Sequence, residues 1–199
     1  MENNFFYFIF ISYIIGSIPF AYILTKLYGY GDIRKIGSGN VGATNVLRTG
    51  KKSLAIIVLL LDVIKGFLPL GLIKLINESQ FQEYEIIFIT SFTIIGHIFP
   101  IWLKFKGGKG VATYIGFILG INYIIGIIFI LCWLTIAIIK RYSSLASILS
   151  LLAVPLISYF LSYSLKINII LCLLSILIIF KHISNIKRLL SNSESKIKL

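Results

Sequence analysis

The chain has 199 residues, of which 58% are hydrophobic and 13% charged, with a mean hydropathy of +0.96 and a net charge of +12 at pH 7. Soluble domains carry about 25% charged residues, so the composition excludes a water-soluble globular protein. High hydrophobicity also excludes an intrinsically disordered chain. We therefore predict an all-α, polytopic integral membrane protein in which residues 1–199 form a single membrane-embedded domain.

A transmembrane helix needs about 20 mostly apolar residues, and six apolar runs approach or exceed this length. The fourth run has 29 residues, which is too long for one ordinary span and short for two. We split it at Gly120–Ile121–Asn122 into two short or tilted helices. In chain order the runs are 7–24, 54–76, 84–102, 111–139, 147–163 and 167–180.

The basic residues predict the orientation. Of the 19 Lys and Arg residues, 16 lie in segments 26–53, 102–110, 140–141 and 181–198. Positive residues concentrate on the cytoplasmic side, and all four segments share that side only if the fourth run crosses twice. This gives seven transmembrane helices, with the N-terminus outside and the C-terminus cytoplasmic. The loop that begins at Glu78 is acidic and fits the outside.

The apolar runs contain few ionisable residues. Asp62 and Lys65 are three residues apart, hence on one helical face, and we expect them to form a structural pair that faces the bundle interior. His97 lies near the end of the third run. It is either a general base or a hydrogen-bonded histidine at a helix end, and the sequence leaves both readings open.

The first basic loop, residues 37–48, is rich in glycine and hydrogen-bond donors. Its Gly-x-Gly-x-x-Gly spacing is not a dinucleotide site, because no strand precedes it. Small glycines leave backbone N–H groups free to form an anion-binding nest. Arg48 adds a guanidinium group, which can donate two parallel hydrogen bonds to phosphate oxygens. The alternative is a flexible interfacial loop with a solvated arginine. The other candidate phosphate ligands here are Ser38, Gly39, Asn40, Gly42, Thr44 and Asn45.

The second basic loop, residues 104–110, opens directly into the next helix, whose N-terminus favours an anion. It is not a Walker loop, because Leu103 stands in place of the first glycine and Gly110 in place of the Ser or Thr that would bind magnesium. The alternative is a basic anchor for anionic lipid head groups. The candidate phosphate ligands of this loop are Lys104, Lys106, Gly107, Gly108, Lys109 and Gly110.

A short hydroxyl-rich turn follows the fourth run. Ser144 is a candidate phosphate ligand, although either Ser144 or Ser147 would also serve as the N-cap of the next helix.

In the C-terminal segment, His182, Asn185 and Arg188 are spaced to share a helical face. This face either contacts a phosphate or lies on lipid. All these features fall on the predicted cytoplasmic side, and together they predict a site for two phosphates at the membrane boundary. The few acidic residues there, Asp32 and Glu194, disfavour a metal site. We expect no metal, no cofactor and no nucleic-acid partner.

Three blocks of the sequence, residues 38–48, 96–113 and 181–189, resemble the bacterial acyl-phosphate:glycerol-3-phosphate acyltransferase family, as do the shorter stretches Ser17–Ala21 and Asp62–Gly66. The resemblance covers essentially the whole chain. It implies a seven-span enzyme of the bacterial inner membrane, with its active site on the cytoplasmic face. Such an enzyme transfers a fatty acyl group from acyl phosphate to the 1-hydroxyl of glycerol 3-phosphate, giving lysophosphatidic acid and phosphate.

The resemblance also implies a partner, the soluble enzyme that makes acyl phosphate. One departure lies in the tail, where the family has Gly-x-Glu and this chain has Asn192-Ser193-Glu194. Asparagine tolerates the left-handed conformation at a helix end, so we expect the turn to be kept.

Resemblance and chemistry together assign the phosphate of glycerol 3-phosphate to Ser38, Arg48, His182 and Asn185, which with Lys109 form the expected catalytic set. The second loop, chiefly its lysines and Gly107–Gly108, is assigned to the head of acyl phosphate. The general base is His97 or His182, or else a substrate phosphate. Two other functions stay open at this stage, a transporter for a phosphorylated metabolite and a structural lipid-binding scaffold.

Overall fold

The computed structural model describes residues 2–77 and 80–197, and over these ranges the regular structure is helical. The acidic Glu78 and the last two residues lie outside the described part. The chain divides into two compact units, residues 1–121 and 122–199, which are described separately. That residues 1–199 act as a single domain stays a prediction.

The elements of unit 1 that lie wholly within the described residues include six α-helices and two short 3-10 turns. Helix α1 packs most extensively against α5, and α4 packs against α6. Each of these two 3-10 turns comes just before one of the basic loops. The helices are α1 (Glu2–Ser17), α2 (Phe20–Leu27), α3 (Ala43–Leu47), α4 (Lys52–Asn77), α5 (Glu83–Ile98) and α6 (Val111–Ile121), and the turns are Ile33–Lys35 and Ile101–Leu103.

Unit 2 contains four α-helices, among which α8 packs against both α7 and α9. The last helix is bent by 58° relative to the one before it. It is also strongly amphipathic in sequence, with Asn185 on its buried side. The helices are α7 (Tyr123–Lys140), α8 (Ser143–Phe160), α9 (Leu165–Phe180) and α10 (Ile183–Leu190).

Five helical stretches of the described chain are long and apolar enough to cross a membrane, or six if α9 and α10 count as one bent span. The count of seven is not confirmed. Helix α6 has 11 residues and rises about 16 Å, against a hydrocarbon core of about 30 Å. The five stretches are Asn4–Leu27, Lys52–Ile76, Glu83–Leu103, Tyr123–Lys140 and Ser143–Phe160.

The predicted split of the long fourth run is confirmed. Helix α6 ends at Ile121, and Asn122 is the N-cap of α7. Its side-chain oxygen accepts a hydrogen bond of 2.8 Å from the backbone N–H of Ile124, which satisfies one of the N–H groups left open at a helix start. The orientation of the helices in the membrane stays a prediction.

The first span is broken between α1 and α2 at Ile18–Pro19. A residue before proline is driven out of the helical conformation, so the carbonyl of Ile18 lies outside the regular helical hydrogen-bond pattern and accepts from the Phe20 N–H at 3.2 Å. The Lys65 ammonium donates a hydrogen bond of 2.7 Å to this carbonyl oxygen. Lys65 also lies 2.8 Å from Asp62, with both side chains buried, which confirms the predicted pair.

Glycines set the closest helix contacts of unit 1. A Cβ atom at Gly16 of α1 would overlap the carbonyl of Thr93 on α5, and one at Gly96 of α5 would overlap the carbonyl of Tyr13 on α1. Between α4 and α6, Gly66 lies equally close to the Thr113 carbonyl. Small residues let helix backbones approach closely in membranes, where van der Waals packing holds helices together.

We expect Gly66→Ala to lower stability by about 1–3 kcal/mol, because the added methyl group forces α4 away from α6. Gly71→Ala is the matched control on the same helix, since its Cβ would meet only the ring of Phe67 at 3.5 Å, an ordinary contact. The thermal unfolding midpoint in detergent measures both. Equal midpoints for the two variants would contradict this packing argument.

Candidate active site

The Asn45 side chain makes hydrogen bonds to the backbone of the first loop and so fixes its conformation. Its side chain is buried. The Oδ1 atom accepts a hydrogen bond of 2.9 Å from the backbone N–H of Ser38, and Nδ2 lies 2.9–3.1 Å from the carbonyl oxygens of Ile33, Ile36 and Asn40. The sequence predicted Asn45 as a phosphate ligand. Its amide is instead occupied by the loop backbone, so it positions the loop.

The backbone nests expected from the glycines are largely absent from the described loops. In the first loop, Gly39 and Gly42 donate their N–H groups to the carbonyls of Ile36 and Asn40. In the second loop, the N–H groups of residues 104–108 all donate to carbonyls of residues 97–103. These donors satisfy the loop itself. The backbone of these loops therefore offers few open donors to an anion, and the positive charge of the loops lies on their side chains.

The glycines of the second loop serve close packing. A Cβ atom at Gly107 would overlap the carbonyl of His97 and the ring of Pro100. One at Gly108 would overlap His97 Nε2 and lie 2.5 Å from the carbonyl oxygen of Val41. Because Val41 belongs to the first loop, the two basic loops meet at this point, as the sequence predicted.

The cationic side chains of both loops reach the surface of unit 1. Arg48, at the C-terminus of α3, is exposed, as are Lys104 and Lys106, and Lys109 is half-buried. Ser38 and Thr44 of the first loop are exposed as well. These side chains can bind a multiply charged anion, which fits the phosphate chemistry predicted for them.

Asp32, which precedes the first loop, is paired. Arg34 donates side-chain hydrogen bonds of 2.6–3.1 Å to its carboxylate. These bonds lower the pKa of Asp32 to about 2, so the carboxylate stays ionised and its charge is offset by the neighbouring guanidinium. The field of the two basic loops therefore stays positive.

A cavity lies beside the point where the loops meet. It has an empty volume of about 200 Å³, part of it open to solvent, and its lining is mixed: Ser17, Asp62, Lys65 and His97 lie among apolar residues, with Gly107 and Gly108 of the second loop. His97 Nδ1 lies 3.6 Å from Asp62 Oδ1. Sequence reasoning missed this neighbour of His97, because the two residues lie on different helices.

In unit 2, Glu194 makes hydrogen bonds to three of the side chains that the sequence suggested as candidate site residues. Its carboxylate accepts hydrogen bonds from Ser144 (2.8 Å), Asn185 (2.6 Å) and Arg188 (2.6 Å). Asn185 and Arg188 thus share a helical face, as predicted. Sequence reasoning gave Glu194 no role, although the Gly-x-Glu pattern of the resembling family pointed to this position.

The turn that carries Glu194 has the predicted conformation. Asn192 has a φ of +54°, in the left-handed region that asparagine tolerates better than most residues. The predicted serine cap is wrong: the N-cap of α8 is Tyr142, and the Ser144 hydroxyl donates to Glu194 instead. His182 Nδ1 lies 2.8 Å from the carbonyl oxygen of Ile178, which fixes the orientation of its ring.

The helices and the paired cationic loops together define an integral membrane protein with a candidate anion-binding site in unit 1. The family model for glycerol-3-phosphate acyltransferase matches residues 6–192, so the chain belongs to the glycerol-3-phosphate acyltransferase family.

Relatives of this name are close in sequence. The glycerol-3-phosphate acyltransferase of Ehrlichia canis is 50% identical over 188 residues, covering 94% of this chain and 95% of the relative. That of Bartonella quintana is 48% identical over 186 residues, covering 94% and 88%.

Two crystal structures of PlsY (YgiH), an integral membrane glycerol 3-phosphate acyltransferase, share the fold. The glycerol 3-phosphate form matches with a TM-score of 0.90 and 35% identity, and the lysophosphatidic acid form with 0.87 and 34%. Each match covers 98% of this chain and 96% of the crystallised one.

The tail contact of Glu194 should depend on pH. Burial opposes ionisation, but the hydrogen bonds from Asn185, Ser144 and Arg188 outweigh it and hold the pKa of Glu194 below its ordinary value of 4.5. A lowered pKa in the folded protein means that the stabilisation is complete above pH 4.5 and is lost as the pH falls through the lowered value.

Hydrogen exchange of the Ile197 amide, which donates to the Arg141 carbonyl, reports this contact. We expect a constant protection factor from pH 7 to pH 5 and a loss below pH 4.5. Glu194→Gln should lose protection already at pH 7, whereas the control Glu83→Gln should not. A Glu194→Gln protein with wild-type protection would show that the carboxylate does not hold the tail.

Proposed function

We propose that this protein transfers a fatty acyl group from acyl phosphate to the 1-hydroxyl of glycerol 3-phosphate, giving lysophosphatidic acid and phosphate. The observation that carries the proposal is the meeting of the two basic loops at Val41 and Gly108. Both substrates are multiply charged anions that must be held side by side. Two cationic loops in contact supply neighbouring sites for two phosphates, and family membership supplies the acceptor.

In the proposed reaction, the oxygen of the 1-hydroxyl attacks the carbonyl carbon of acyl phosphate. A new ester C–O bond forms, the bond between that carbon and the bridging phosphate oxygen breaks, and phosphate leaves with the bonding electron pair. The hydroxyl proton passes to a base. Because acyl phosphate is already an activated mixed anhydride, no covalent acyl-enzyme is needed, and catalysis rests on orientation and on neutralising charge.

Within unit 1, we assign the phosphate of glycerol 3-phosphate to Ser38 and Arg48. We assign the head of acyl phosphate to the three lysines of the second loop and to the first turn of α6, where the helix N-terminus favours an anion. Gly107 and Gly108 contribute by letting the loop lie against His97, since their N–H groups donate elsewhere.

The roles of His182, Asn185 and Ser144 in substrate binding stay predictions from the sequence. In unit 2, Asn185 and Ser144 donate hydrogen bonds to Glu194. A site at the membrane surface of the cytoplasmic face of the inner membrane, and delivery by a soluble acyl-phosphate-forming enzyme, belong to the same proposal.

A thioester donor is disfavoured by the sequence. Soluble-type acyltransferases carry a His-x4-Asp signature, whereas here Trp102 follows His97 by five positions and Lys187 follows His182 by five. No aspartate is therefore placed along the chain to activate a histidine in that manner. This supports acyl phosphate as the donor.

Purified protein in detergent is given glycerol 3-phosphate with palmitoyl phosphate, or with palmitoyl-CoA as the parallel donor. We expect phosphate release matched by lysophosphatidic acid formation from palmitoyl phosphate alone. Phosphate release that does not require glycerol 3-phosphate would mean a hydrolase. Binding of glycerol 3-phosphate with no turnover from either donor would favour transport.

Arg48→Ala and Lys109→Ala should each lower kcat/KM by about 100-fold or more, because each removes a cation from a phosphate in the transition state. Lys52→Ala, which removes an exposed cation at the start of α4, is the matched control and should keep wild-type turnover. All three proteins should unfold at the wild-type midpoint. Wild-type activity in Arg48→Ala or Lys109→Ala would contradict the assignment.

A further inference from the structure

The turn that leads into the second basic loop exposes three large apolar side chains. Trp102 is 60% exposed, Phe105 57% and Ile101 48%, and we call these three residues the loop tip. Leu103, between them, is buried and anchors the turn to unit 1. Exposed apolar patches of this kind mark a contact with lipid or with another protein, so the loop tip is a candidate interaction surface.

The backbone of the loop tip has an unusual conformation. Lys104 and Phe105 have φ angles of +52° and +62°, in the left-handed region that bulky side chains rarely adopt. The Phe105 N–H donates a hydrogen bond of 2.9 Å to the Pro100 carbonyl oxygen and closes the turn. Because the Phe105 ring is exposed, packing within the chain does not account for a phenylalanine at this position. A contact outside the chain does.

The loop tip continues a stretch that can cross a membrane. The helical stretch Glu83–Leu103 is long and apolar enough to do so, and the loop tip lies at its end. The backbone N–H groups of residues 103–108 all donate to carbonyl oxygens of residues 97–103. A backbone whose N–H groups are bonded internally can leave water at little cost. The loop tip can therefore enter lipid, whereas a loop with open N–H groups cannot.

The lysines beside the loop tip indicate which partner it meets. Lys104 and Lys106 are exposed on either side of Phe105. Tryptophan is enriched where a membrane meets water, and lysine side chains there extend to the head groups. Protein–protein interfaces, in contrast, are depleted in lysine. Exposed aromatic rings that alternate with lysines therefore fit the surface of a bilayer better than the surface of a protein.

We propose that the loop tip inserts into the interface of an anionic bilayer and holds Lys104 and Lys106 at the depth of the lipid phosphate groups. A lipid phosphate and the phosphate of an acyl donor offer these lysines the same chemistry, and the proposal concerns the lipid. It goes beyond the acyl-transfer function and does not depend on it, because the experiments below contain no substrate.

The chain has two tryptophans, Trp102 and Trp133, which makes the depth of the loop tip measurable. Trp133→Phe leaves Trp102 as the only tryptophan. It removes the hydrogen bond from Trp133 to the Ser147 hydroxyl, which keeps its bond to the Ser143 carbonyl. The protein is placed in vesicles of phosphatidylcholine and phosphatidylglycerol, with lipids brominated near the head group or near the chain end, or with iodide on both sides of the vesicle.

We expect bromines near the head group to quench Trp102 about threefold more than bromines near the chain end, because an interfacial ring lies at that depth. Iodide should quench it weakly. Strong quenching by iodide without quenching by lipid would place the loop tip in water, and shielding from both quenchers would mean that protein covers it. Either result would overturn the proposal. The difference between wild type and Trp102→Phe gives the same signal with Trp133 retained.

Phe105→Ser, in the Trp133→Phe protein, should raise the quenching of Trp102 by iodide about twofold or more, since insertion scales with the apolar area that enters the bilayer. Phe10→Ser is the matched control: it makes the same change at a phenylalanine of α1 that is 62% exposed, and it should leave Trp102 unchanged. The thermal midpoint shows that each variant is folded. An unchanged Trp102 signal in folded Phe105→Ser protein would contradict insertion of the loop tip.

The role of the lysines is tested with brominated phosphatidylglycerol and brominated phosphatidylcholine at equal mole fraction. We expect the anionic lipid to quench Trp102 about twofold more, because lysines near the surface attract anionic head groups. Lys104→Gln/Lys106→Gln should abolish this preference, whereas Lys51→Gln/Lys52→Gln, which changes two exposed lysines before and at the start of α4, should keep it. No preference for phosphatidylglycerol in the unchanged loop would overturn the assignment of the lysines to lipid phosphates.

Discussion

The ion pair of Asp62 and Lys65 is the interaction on which unit 1 depends. Both side chains are buried in a segment long and apolar enough to span a membrane, where desolvating an unpaired charge costs several kcal/mol. The pair is tolerable because each charge neutralises the other and Lys65 also caps the Ile18 carbonyl. One contact thus joins α4 to the break between α1 and α2, and it ends beside His97.

The glycines of the second loop allow close packing, whereas their sequence pattern predicts backbone donors for an anion. Gly107 and Gly108 donate their N–H groups to carbonyls within the chain, yet a side chain at either position would collide with His97. Their small size therefore brings the cationic loop against the histidine. The same property brings α4 against α6 at Gly66. Close approach, rather than free backbone donors, explains why these positions are glycine.

Local features of the structure could be predicted from the sequence, because spacing along a helix fixes them. The pairing of Asp62 with Lys65, the helix break at Asn122 and the left-handed turn at Asn192 each depend on residues a few positions apart. All three are confirmed.

Contacts between distant segments could not be predicted in this way. The approach of His97 to Asp62 depends on how α5 packs on α4. The hydrogen bond from Ser144 to Glu194 depends on the path of the C-terminal tail. The count of seven spans stays a prediction for a related reason, since the charge distribution requires an extra crossing but does not reveal that α6 has only 11 residues. A single sequence does not reveal which of its distant segments pack together, so it contains no signal for these distances.

The central claim is that the two loops hold acyl phosphate so that its carbonyl carbon, and not its phosphorus, is attacked. Palmitoyl phosphate carrying oxygen-18 in the bridging C–O–P position tests this most directly. With glycerol 3-phosphate present, acyl transfer breaks the bond between carbon and the bridging oxygen, so all of the label should appear in the released phosphate and none in lysophosphatidic acid. Label recovered in fatty acid or fatty acyl product would show that the P–O bond breaks, and it would contradict the account.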